Sequence, residues 1–92
     1  MNTQIMKVVQ QGEAFAVQSQ KAEGGQLLKC SIVLQELGGK YENTYAAVML
    51  GNDATSRFYP RDLVAVRLRF QAHENDGKVY QDVLVQEIIK VK

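Results

Sequence analysis

The sequence predicts an all-β domain with one short helix, built as a small barrel of five strands. Three observations carry this prediction. Apolar and polar residues alternate with a period of two through most of the chain, which is the strand signal. Paired glycines at Gly24-Gly25 and Gly38-Gly39 and the run Asn75-Asp76-Gly77 break that alternation into separate runs. One stretch, Asn52 to Tyr59, lacks the alternation and ends at Pro60.

Each element follows from its residues. Lys7 to Gln18 reads as a first strand, with Gly12 where a bulge lets a long barrel strand bend. Gln18 to Gly25 has no apolar rhythm and reads as a loop. In the second strand, Gln26 to Glu36, Leu28, Cys30, Ile32 and Leu34 fall on one face, and Lys29, Ser31, Val33 and Gln35 on the other. Glu42 to Gly51 forms the third strand. Asn52 or Asp53 can cap a short helix, which Pro60 ends because the residue before a proline is pushed out of the helical region. In the fourth strand, Leu63 to Ala72, Val64, Val66, Leu68 and Phe70 oppose Ala65, Arg67, Arg69 and Gln71. Asn75-Asp76-Gly77 predicts a tight primed hairpin turn into a fifth strand, Val79 to Val91. Three strands, a short helix and two hairpin-linked strands is the element order of an OB fold. An SH3-like barrel or a β-sandwich of similar size competes, and the helix between the third and fourth strands favours OB.

The chain has 92 residues, enough for one domain, residues 1–92, and too few for two. Apolar residues make up 46% of it, which argues for a packed core and against disorder. The longest apolar run, Ala46 to Leu50, is far short of a membrane span. Met1-Asn2-Thr3-Gln4 does not open a secretory leader, and the single Cys30 cannot form an intrachain disulfide, so a cytoplasmic chain without membrane contact is expected. Net charge is only +1, yet all four arginines (Arg57, Arg61, Arg67 and Arg69) lie in one thirteen-residue window opposed by Asp62 alone.

At Lys40-Tyr41-Glu42, Leu50-Gly51, Phe58 to Phe70 and Gly77-Lys78-Val79-Tyr80-Gln81-Asp82-Val83, the chain resembles small OB-fold proteins of Bacteroidetes, a family of unknown function similar to single-stranded DNA-binding proteins. It departs from that pattern in carrying Arg61-Asp62 where members usually have Gly-Asp, and Leu50 where a tryptophan is frequent. The resemblance implies single-stranded nucleic acid, DNA ahead of RNA, as partner.

Barrels of this kind bind single strands with a basic groove and aromatic platforms, because any base can stack. The residues that fit are Arg67, Arg69, Lys29, Lys40, Arg57 and Arg61 for charge, and Tyr41, Tyr45, Phe58, Tyr59 and Tyr80 for stacking. Arginines on an exposed strand also guard it from aggregation and cover apolar surface with their stems. Catalysis is not expected: His73 stands alone beside a turn, and Cys30 lies on an apolar strand face. One Cys and one His cannot build a zinc site, and no glycine pair opens a phosphate-binding helix, so no metal or small-molecule cofactor is expected. An assembly or protein-interaction module, with a homo-dimer as one form, is the competing reading, with Val33, Leu63 and Ile89 as outward apolar residues.

Overall fold

The computed structural model describes residues 3–18, 25–38 and 42–92. Six strands and one 3-10 turn follow in the order β1 (Gln4–Gln11), β2 (Phe15–Gln18), β3 (Gln26–Glu36), β4 (Thr44–Leu50), the 3-10 turn Gly51–Thr55, β5 (Leu63–Asn75) and β6 (Lys78–Lys90). All strands belong to one sheet in the order β1-β5-β6-β4-β3-β2, and β1 pairs with β3 as well as with β5. The pairings are antiparallel except β4 with β6, which meet in parallel at one residue pair, Val48 with Leu84.

The expected first strand is two strands, both laid along β3. The extra residue is Val9, not Gly12: Val8 faces Leu34 and Gln10 faces Val33, so the register slips between them. Gly12 instead marks a close approach. Its N–H donates to the Ser31 carbonyl at 2.9 Å, and a Cβ there would stand 2.7 Å from the Ser31 hydroxyl. Its carbonyl accepts from the Cys30 thiol at 3.2 Å and from an Arg57 Nη at 3.0 Å.

Alternation sets the core. Met6 and Val8 of β1, Cys30, Ile32 and Leu34 of β3, Ala47 and Met49 of β4, Val64, Val66 and Leu68 of β5 and Val85 of β6 are all buried. No polar or charged residue is buried among the described residues. Burial of apolar surface, at roughly 25 cal/mol per Å², is therefore the driving term for this core.

The short helix differs from expectation. It is a 3-10 turn of five residues, begins at Gly51, and has no side-chain cap from Asn52 or Asp53. Residues 56–58 run extended instead because Gln11 holds them: its amide nitrogen donates to the Ser56 carbonyl at 2.8 Å, and its amide oxygen accepts the Phe58 N–H at 2.7 Å. Ala54 and Phe58 are thereby buried against the core.

Beyond Leu68 the strands β5 and β6 continue as a two-stranded arm in which residues 69–82 are all exposed. Asp76 (φ 53°) and Gly77 (φ 77°) close it, the two positive φ angles of the primed turn expected from the sequence. Phe70 returns to the body at the arm's root, where its ring meets Tyr45 edge-on at 6.0 Å.

Candidate nucleic-acid interface

Partners directly across a ladder share a face, and so do residues two apart on a strand. Arg69 pairs with Leu84, Leu84 with Val48, and Val48 with Ser31, a row running outward-facing over β5, β6, β4 and β3. Lys29, two residues before Ser31, and Arg67, two before Arg69, lie on that same outer face. Three strand spacings, about 14 Å, separate β5 from β3. The face thus gathers Lys29, Arg67 and Arg69 from parts of the sequence forty residues apart, around the half-buried Val48, Leu50 and Leu84.

Two aromatics flank it. Phe15 pairs with Lys29 and is 53% exposed, a candidate stacking surface that sequence reasoning missed. Tyr80 pairs with His73 on the arm, and their rings stack at 5.4 Å and 24°. His73 Nδ1 lies 2.9 Å from an Asp82 carboxylate oxygen. A two-residue turn at Asp76-Gly77 fixes this register, so the opposition of residues 73 and 80 could have been read from the turn itself.

The cations are not equivalent. Arg67 has one Nη 3.7 Å from the Glu87 carboxylate, and its Nε is buried without a hydrogen-bond partner. Arg69 is exposed and joins no ion pair among the described residues. An exposed pair such as Arg67–Glu87 contributes roughly 0–1 kcal/mol, little enough for a phosphate to displace.

The remaining candidates stand elsewhere. Tyr45 shares its side of β4 with the buried Ala47 and Met49, away from the face. Phe58 is 6% exposed and belongs to the core, so it offers no surface for stacking. Tyr59 and Arg61 are exposed in the turn before β5, and Arg57 is tied to Gly12. Lys40 and Tyr41 lie outside the described residues. Val33 and Leu63 are half-buried, whereas Ile89 is 67% exposed. No group of three or more His, Cys, Asp or Glu among the described residues could hold a metal ion, and no described helix is long and apolar enough to cross a membrane.

A solved structure, the SSB domain of a protein from Synechococcus sp., superposes with a TM-score of 0.54 over 96% of this chain and 93% of that one, at 21% sequence identity. The fold is that of an SSB domain. The likeness bears out the OB-type fold at the level of overall fold. No protein-family model and no curated protein matches the chain.

Proposed function

We propose that this chain is a single, non-catalytic OB barrel that binds single-stranded nucleic acid, DNA ahead of RNA, across its outer face. The observation that carries the reading is the convergence of Lys29, Arg67 and Arg69 on one face with exposed aromatics, Phe15 and Tyr80, at either side. Guanidinium groups grip phosphate with paired donors or stack on a base, and stacking tolerates any base. The SSB-type fold supports the same reading. Affinity comes largely from phosphate neutralisation and falls as salt rises. Titrating a labelled oligothymidine with the protein at low and high salt tests it. Salt-sensitive binding is expected, and no binding at low salt refutes the reading.

Assembly with a second copy of the chain is a second reading, favoured by a separate observation. Ile5, Ala65 and Ile89 pair directly across β1, β5 and β6, and Ile5 and Ile89 are 45% and 67% exposed. An exposed apolar row across three strands is suited to covering by a like surface. A strict monomer at high concentration in sedimentation would rule against it.

A further inference from the structure

We infer that the strand ends around the turn Tyr59–Asp62 form a second phosphate-binding station for the same single strand, with Arg61 as its principal contact. This rests on the single-strand reading above. The Asp62 N–H donates to the Tyr59 carbonyl at 3.0 Å, closing a turn with Pro60 and Arg61 at its centre. Arg61 has φ 77°, the position at which such a turn takes glycine or asparagine. The conformation is imposed from several sides. Arg61 N–H donates to the Val8 carbonyl at 2.8 Å, Val8 N–H to the Asp62 carbonyl at 2.8 Å, and the Asp62 carboxylate accepts the Tyr59 N–H at 2.9 Å.

A long side chain is thus held in backbone geometry that disfavours any Cβ. A glycine would make the same backbone hydrogen bonds, whereas the Arg61 side chain is exposed and makes no hydrogen bond or ion pair among the described residues. Strain kept at an exposed charged residue points outward, to a ligand.

The surroundings state the ligand's sign. Lys7 pairs with Leu63, the first residue of β5, and Lys90 pairs with Val64. The nearby acid, Asp62, is already engaged by the Tyr59 N–H and by Lys90 Nζ at 3.6 Å. Lys90 thus answers Asp62, and Lys7, next to the Val8 that Arg61 bonds, adds a further cation at this end of the sheet. Leu63 lies on the outward side of β5, in line with Arg67 and Arg69, and six residues of strand span about 20 Å between positions 63 and 69. A strand crossing the first face can reach this end only if it is long, within the roughly 4–16 nucleotides an OB fold occupies.

The test compares Arg61→Gly and Arg61→Lys with the parent, by thermal melting and by anisotropy with oligothymidines of about four and about sixteen nucleotides. Relief of the positive φ, partly offset by the entropy glycine adds to the unfolded chain, should raise the Tm of Arg61→Gly by about 4 °C. The same variant should lose about fivefold in affinity for the long oligomer at 0.1 M salt and nothing for the short one. Arg61→Lys should keep most of the affinity without gaining stability. Unchanged binding of the long oligomer by Arg61→Gly overturns the proposal, as does an equal loss at both lengths, which would assign Arg61 to the first face. A Tm that fails to rise removes the strain argument and the proposal with it. If the parent binds neither oligomer, the single-strand reading itself has failed.

Discussion

Replacing Arg67 and Arg69 together with alanine tests the outer face most directly. For single strands each neutralised phosphate contributes about 0.7 to the slope of log K against log salt. Three contacts, from Lys29, Arg67 and Arg69, give the parent face a slope of about −2.1, and the double variant should retain about −0.7. Each lost contact removes about fivefold in affinity at 0.1 M salt, so the pair removes about 25-fold at most. Arg67 must first leave Glu87, whose carboxylate lies 3.7 Å away, so its share is the smaller and a loss near tenfold is the lower bound expected. Glu87→Gln should act in the opposite sense, freeing Arg67 and raising affinity at low salt. Neither arginine packs in the core, so stability should change by no more than about 0.5 kcal/mol. The assay is anisotropy with one oligothymidine across a salt series, with thermal melts as a folding control. A folded double variant whose salt slope equals the parent's refutes the face.

Other predictions concern the scaffold. Phe58→Ala should cost about 3–5 kcal/mol in denaturant unfolding, because a buried ring is replaced by a cavity under the 3-10 turn. Gly77→Ala should destabilise by about 1–2 kcal/mol, since alanine must adopt φ 77° at the arm's turn, and the loss should appear first as accelerated amide exchange in the arm. If the Ile5–Ala65–Ile89 row is covered by a second copy, the double substitution Ile5→Glu and Ile89→Glu should give a monomer in sedimentation at concentrations where the parent is dimeric.

The core is legible because burial and alternation share one period: Cys30, Ile32 and Leu34 share one predicted strand face, as do Val64, Val66 and Leu68, and all six are buried, whereas Leu28 and Phe70 at the ends of the same rows are exposed where the sheet leaves the core. Tyr45, open to a core as well as a stacking reading in the sequence, keeps step with Ala47 and Met49 and packs against the core. Phe58 could not, because it lies in an extended linker without periodicity and is held inward by Gln11, a residue distant in sequence. The arm ran longer than expected for a related reason. Gln71 to Glu74 are exposed on both faces, so no burial pattern marks them as strand, and only the turn's register does. The grouping of Lys29 with Arg67 and Arg69 depends on the meeting of Val48 with Leu84, for which no local pattern exists.

That meeting has a thermodynamic consequence. β4 and β6 lie side by side, yet their ladder pairing is a seam one residue pair long, where every other paired couple of strands shares at least four. Short pairings open at low free energy, so the amides beside Val48 and Leu84 should be among the first in the body to exchange with solvent. Lys29 and Arg69 stand on opposite banks of this seam. A strand held by both cations spans it like a suture, and by linkage its binding energy adds to the cost of opening there. On the proposed reading, ligand occupancy and the integrity of the sheet become one equilibrium, in which bound nucleic acid tethers the two banks from outside the ladder.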